Sequence, residues 1–220
     1  IYASMHTAKE VGGDFYDFYF IDEDHLAFLI ADVSGKGIPA AMFMMRSKTI
    51  IKSYAESGMS VEEVFTLANE KLCEGNDAGM FVTAWMGILN IRNGKVLFAN
   101  AGHNHPLVKH SDGTFEYLKS RAGFVLAGME GVRYRKNELV LEPGDAIYLY
   151  TDGVTEATDL NEELYGEDRL HSILEKYKDE TMEVICSEIK KDVDLFVGEA
   201  PQFDDITMLA LKFKGQEVIS

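Results

Sequence analysis

The sequence predicts an α+β fold, with two antiparallel β-sheets packed as a sandwich and flanked by helix pairs in α-β-β-α layers. Three observations predict it. Strand-like runs are joined by short turns, which suit antiparallel neighbours. Helical periods come in two pairs and do not alternate with strands, which argues against a doubly wound parallel sheet. The chain has 220 residues, 46% of them hydrophobic and 26% charged, enough to bury a proper core and fitting one domain over 1–220.

The elements follow in order. "FYDFYFI" (15–21) and "HLAFLIADV" (25–33) read as strands around the turn "DED". "PAAMFMMRSKTIIKSYAES" (39–57) has the helical period, with Pro39 in its first turn. "SVEEVFTLANEKLCEG" (60–75) is a second helix, opened by the capping box of Ser60 and Glu63 and stopped at Gly75. "MFVTAWMGILNI" (80–91) and "KVLFANAG" (95–102) form a hairpin through Asn93-Gly94, the strongest short-range signal of its kind. "HPLVKH" and "TFEYLK" flank Ser111-Asp112-Gly113, and "NELVLEP" (137–143) and "DAIYLYTDG" (145–153) flank Pro143-Gly144. Two helices follow near 162–177 and 181–197, and "DDITMLALKF" (204–213) is a last, buried strand.

Composition excludes several classes. The formal net charge of −16 disfavours nucleic acid as a partner, because phosphate binding needs clustered Lys and Arg. Such acidity suits a soluble surface and also cation binding. The longest apolar run, Ile38 to Met45, falls far short of the roughly 20 residues that cross a bilayer. Nothing at the start reads as a signal peptide. A cytoplasmic domain is expected, with membrane tethering left open for the full-length protein. The abrupt start at Ile1 reads as the C-terminal catalytic part of a longer, regulated chain. Cys73 and Cys186 read as reduced, buried thiols, without the Gly-rich loop of a thiol phosphatase.

Several aspartates share one context, the end of an apolar run. Asp14 precedes "FYDFYF", Asp32 ends "LAFLIAD", Asp152 ends "AIYLYTD", and Asp204 and Asp205 open "DDITMLALKF". Strand ends at one edge of a sandwich can converge, yet these segments hold no Lys or Arg apart from Lys36 in the glycine loop. Unpaired buried carboxylates are costly, and a divalent cation resolves the conflict. An all-oxygen donor set suits Mg²⁺, Mn²⁺ or Ca²⁺ and not zinc. Each aspartate alone is more simply a turn residue.

"VGGDFYDF", "ADVSGKGIPAAMFM", "NAGHNHP", "YTDGVTEA" and "DDITMLAL" resemble, in order and spacing, the motifs of the SpoIIE-type serine/threonine phosphatases, the bacterial branch of the metal-dependent protein phosphatase 2C-like (PPM) superfamily. The resemblance runs from about Lys9 to Phe213 and implies a β-sandwich flanked by helix pairs. It also implies hydrolysis of a phosphoserine or phosphothreonine ester by water activated on two Mn²⁺ or Mg²⁺ ions, with a third ion a further option. The implied ligands are Asp14, Asp32, the Val33 carbonyl, Asp152 and Asp204, with Asp205 orienting them or serving a third metal. Asp17 either orients Asp14 or caps a strand.

Two departures from the eukaryotic relatives stand out. Ser34 occupies the position of their candidate general acid, a histidine. The nearest basic residue to their phosphate-holding arginine is Lys9, for which a solvated surface lysine is the plainer reading. His103 reads as a loop residue with a satisfied ring. In such enzymes the helix beginning at Pro39 can act as a switch. Met42 and Met45 would give it an adaptable surface, although core packing is the simpler reading for most of its methionines. The implied partners are a phosphorylated STAS-type regulator (an anti-sigma-factor antagonist), an upstream sensor or partner domain, and a homodimer contact. A non-catalytic domain of the same fold and a hydrolase of small phosphate esters are the alternatives.

Overall fold

The computed structural model describes residues 1–215. In chain order it contains β1 (Tyr2–His6), β2 (Phe15–Phe20), β3 (His25–Val33), α1 (Ile38–Glu56), α2 (Val61–Cys73), β4 (Val82–Asn90), β5 (Lys95–Ala101), β6 (Leu107–Lys109), β7 (Phe115–Tyr117), β8 (Asn137–Val140), β9 (Ala146–Tyr150), α3 (Asp152–Thr155), α4 (Gly166–Lys176), α5 (Met182–Val197) and β10 (Ile206–Lys212). The strands form two antiparallel sheets, ordered β2-β3-β4-β5-β8 and β1-β10-β9-β6-β7. The expected sandwich is present; Cys73 and Cys186 are both free, but only Cys186 is buried, and Cys73 at the end of α2 is half-buried.

Strand pleating divides the apolar side chains into three layers. On β3, Ala27, Leu29, Ala31 and Val33 pack under α1 and α2, which contribute Phe43, Ile51, Phe65 and Leu72. The alternate residues Phe28 and Ile30 face the other sheet and meet Trp85, Phe98, Ile147, Leu149 and Leu209. On the far side, Tyr148, Tyr150, Met208 and Ala210 pack under α4 and α5 through Leu170, Leu174, Ile185 and Ile189. The buried residues of α1, Ala40, Phe43, Ser47, Ile51 and Ala55, recur at three- and four-residue steps, which is why this segment is a one-sided helix.

Several expectations need correction. β1 was not anticipated; it lies on the outer edge of β10, pairing Tyr2 with Ala210 through His6 with Ile206. The strands that flank Pro143-Gly144 do not pair with each other, although short turns elsewhere join antiparallel neighbours. β8 pairs with β5 in one sheet, while β9 pairs with β10 and β6 in the other. That turn therefore carries the chain between sheets, something a turn signal alone cannot show. The strand expected over 145–153 stops at Tyr150, and Asp152 begins the short α3. Met42 and Met45 are not core. They are 68% and 65% exposed and form an outer stripe with Ile38, while Met44 packs inward.

Candidate metal centre

Pleat parity and register bring the carboxylates to one end of the sandwich. Asp32 follows Phe28 and Ile30 on the face of β3 that looks at the opposite sheet, and it pairs across to Thr83 of β4. Asp14 immediately precedes β2, Asp152 follows β9 by two residues, and Asp204 and Asp205 lead into β10. Antiparallel pairing of β9 with β10 sets the last two segments side by side, and the Thr151 N–H donates to the Thr207 carbonyl at 3.0 Å.

Three glycines allow this approach. A Cβ on Gly153 would lie 1.9 Å from the Asp205 carbonyl oxygen, one on Gly12 would lie 2.3 Å from Asp205 Oδ2, and one on Gly13 would lie 2.9 Å from the Val33 carbonyl oxygen. No side chain fits at these points.

Asp205 organises the centre. It is buried; its Oδ1 accepts from the Ala8 N–H at 2.8 Å, and its Oδ2 accepts from the N–H groups of Gly13 at 2.8 Å and Asp14 at 3.4 Å. Through these bonds Asp205 fixes the Gly-Gly-Asp loop, whose Gly13 lies 192 residues away in sequence. The Thr151 hydroxyl donates to Asp14 Oδ2 at 2.7 Å and so aims that carboxylate.

The electrostatics show a cluster short of positive charge. Burial, then the neighbouring Asp32, holds Asp14 well above the ordinary carboxylate range. Burial, then Asp152 and Asp204, raises Asp32 to about 7. Burial, then Glu156 and Asp204, raises Asp152, while Lys36 pulls it down. Lys36 Nζ lies 2.9 Å from Asp204 Oδ2. Buried and half-buried, mutually repelling oxygen donors fit a hard divalent cation, which would neutralise them. Among the described residues, no three Asp, Glu, His or Cys side chains are gathered tightly enough to hold an ion as they lie. Two broad grooves, of about 650 and 740 Å³, open elsewhere, beside Ile1.

Other anticipated residues fall outside the cluster. Asp17 sits an odd number of positions from Asp14 and points the other way. Its carboxylate lies 3.6 Å from Lys48 Nζ of α1 and accepts from the Phe18 N–H, so it ties β2 to the helix. Lys9 is exposed, beside the Ala8 amide that Asp205 holds. The Ser34 hydroxyl accepts from the Phe81 N–H at 2.9 Å and fastens the loop to the start of β4. His103 is buried, with Nδ1 2.8 Å from Thr83 Oγ and Nε2 3.2 Å from the Tyr150 carbonyl, and Asn100 brackets its backbone. It is the satisfied loop histidine expected, and burial lowers its pKa to about 4. Sequence reasoning missed Thr151 and Glu156. The hydroxyl beside the aspartate in "YTDG" was the available signal for the first.

The family profile described as "Stage II sporulation protein E (SpoIIE)" matches residues 22–214. The chain belongs to the SpoIIE family. The resemblance to SpoIIE-type PPM phosphatases is thereby borne out, with four of its five motifs inside the matched residues and "VGGDFYDF" just before them. Among SpoIIE-family relatives, "Phosphoserine phosphatase RsbU" of Bacillus subtilis is 32% identical over 208 residues, covering 94% of this chain and 61% of that protein. "Protein IcfG" of Synechocystis is 31% identical over 242 aligned positions, covering 96% of this chain and 37% of that protein. This chain thus spans between about a third and two thirds of the length of the curated relatives it matches. The SiaA-PP2C domain of Pseudomonas aeruginosa superposes with a TM-score of 0.84 at 22% identity, over 96% of this chain and 85% of that one, which shows a shared fold.

Proposed function

We propose that this SpoIIE-family chain is a single metal-dependent phosphatase domain that hydrolyses phosphoserine or phosphothreonine on a regulatory protein. The observation that carries the reading is the cluster itself: Asp14, Asp32 and Asp152 are all raised by burial and mutual repulsion, at the one end of the sandwich where the family motifs meet. The sequence relative named a phosphoserine phosphatase supports the reaction class.

Asp14, Asp32, Asp152, Asp204 and the Val33 carbonyl would hold two Mn²⁺ or Mg²⁺ ions, with Asp205 fixing the loop that carries Asp14. Such ions, when bound, supply Lewis acidity that makes water a nucleophile at neutral pH and offsets charge on phosphoryl oxygens. The protein's own part is positional. Asp205 and Thr151 hold Asp14 in place, and the glycines admit backbone where side chains would block the site. The apolar sandwich beneath excludes water from one side of the centre. The proposed substrate is a phosphorylated STAS-type regulator.

Turnover of para-nitrophenyl phosphate with Mn²⁺ titrated to millimolar levels tests the reading. Wild type should hydrolyse it, and Asp204→Asn should lose at least about tenfold in kcat/KM, the scale of one lost charge contact in the transition state. Mn²⁺ binding without turnover would instead support a non-catalytic domain of this fold. A preference for free phosphoserine over a folded phosphoprotein would point to a small-ester hydrolase.

A further inference from the structure

Among the described residues, Lys36 is the only Lys or Arg ion-paired with Asp14, Asp32, Asp152 or Asp204. Three contacts set its position. Its Nζ lies 2.9 Å from Asp204 Oδ2, donates to the Phe203 carbonyl, and stands 3.9 Å above the centre of the Phe203 ring. The loop that carries it bends through Gly35 and Gly37, both in the left-handed region with φ of 84° and 79°, so the lysine crosses from the end of β3 to the segment before β10. Asp204 has no idle oxygen in this arrangement, because its Oδ1 accepts from the Asp205 N–H at 2.9 Å.

A divalent cation bound by Asp204 needs an oxygen lone pair at roughly 2.0–2.2 Å. An ammonium group already bonded to that oxygen would put two positive charges within a few ångströms of each other, in a partly desolvated place where screening is weak. Sharing the carboxylate sets the two charges against each other, at a cost on the scale of one partly exposed ion pair. Lysine suits displacement better than arginine would, since its charge is compact and its stem flexible.

We propose that Lys36 is a built-in counter-cation of this centre, holding Asp204 while metal is absent and giving it up when a divalent cation binds. The lysine then sets a threshold for metal occupancy at the Asp152–Asp204 side of the cluster. The inference rests on the metal reading given above and adds a residue whose loss should improve metal binding.

Calorimetric titration of the 220-residue chain with MnCl₂ tests this, alongside thermal melts in EDTA and at saturating Mn²⁺. Lys36→Met should tighten Mn²⁺ binding by about three- to fivefold, the upper end for one partly exposed ion pair. Lys36→Arg, which keeps the charge and grips a carboxylate harder, should bind Mn²⁺ no tighter than wild type, and the charge control Lys9→Met should stay within about twofold of wild type. Lys36→Met should melt lower than wild type in EDTA, and saturating Mn²⁺ should close the gap. Unchanged or weaker binding by Lys36→Met would overturn the role of Lys36, as would equal tightening by Lys9→Met. A melting gap that persists at saturating Mn²⁺ would also overturn it, because the lysine would then be structural beside the metal. Wild type that binds no Mn²⁺ at all would remove the metal reading itself, a different result from wild type that binds while Lys36→Met makes no difference.

Discussion

Asp205 shows how one residue can act through others. Its carboxylate takes the Ala8 and Gly13 amides at 2.8 Å each, and both bonds are shielded from water to differing degrees. Asp205→Asn would turn an amide NH₂ toward at least one of these donors and leave it unsatisfied, at a cost of about 1–3 kcal/mol. Urea unfolding should show that loss, and Mn²⁺-dependent turnover should fall with it because Asp14 loses its support. Gly153→Ala is harsher. A methyl 1.9 Å from a backbone oxygen forces the α3 start away from the Asp205 segment, so stability should drop by about 2 kcal/mol or more and turnover should be lost. His103 gives a pH signature. Its folded pKa is about 4 against an ordinary 6.5, so the unfolded chain takes up a proton first as pH falls. Its contribution to folding is intact above pH 6.5 and is lost progressively down to about pH 4, by up to about 3 kcal/mol. His103→Gln is destabilised by its lost contacts at pH 7, and its deficit relative to wild type should shrink toward pH 4 in denaturant titrations.

At the scale of elements, the β3–α1–α2 unit is fastened to its sheet by side chains that reach main-chain oxygens. Arg46 of α1 donates to the Lys71 and Glu74 carbonyls at 2.7 and 2.8 Å and so closes the C-terminus of α2. Lys48 donates to the Tyr16 carbonyl of β2 at 3.0 Å. Helix α1 begins five residues past the last residue of β3, in the same chain stretch that carries Asp32 and Lys36, so a shift of α1 pulls directly on the centre. Arg46→Met keeps the aliphatic stem and removes the α2 closure. We expect a loss of about 1–2 kcal/mol in chemical denaturation, with faster amide exchange confined to the last turn of α2.

For the molecule as a whole, the metal-free cluster works against the fold at neutral pH. Asp32 titrates near 7 in the folded chain and near 3.8 when unfolded, so its contribution is fully present below 3.8 and is lost as pH rises through about 7. Asp14 and Asp152 move in the same direction. Without metal, this term makes the domain less stable at pH 7.5 than near pH 5, opposite in sign to the His103 term, which the His103 variant isolates. Millimolar Mn²⁺ at pH 7.5 should raise Tm by several degrees and flatten that slope, since it binds the folded state and replaces protons on the carboxylates. Differential scanning fluorimetry across pH with and without EDTA reads both effects.

Much of this protein was legible in its sequence. Alternating apolar runs, the Asn93-Gly94 turn and the Ser60–Glu63 cap are local signals, and local signals gave the sandwich, its helix pairs and most element positions. The aspartates at the ends of apolar runs could be singled out because a carboxylate beside a core needs a reason to be there. The parity of Asp14 and Asp17 was equally visible, and the pleat alone separates their roles. Tertiary structure decided the rest. The sheet change at Pro143-Gly144, the edge strand β1, the grip of Asp205 on Ala8 and Gly13, and the reach of Lys36 to Asp204 all join segments distant in sequence. A sequence states which side chains a strand end offers. Which of them meet depends on register and sheet order, and those are fixed only when the whole core closes.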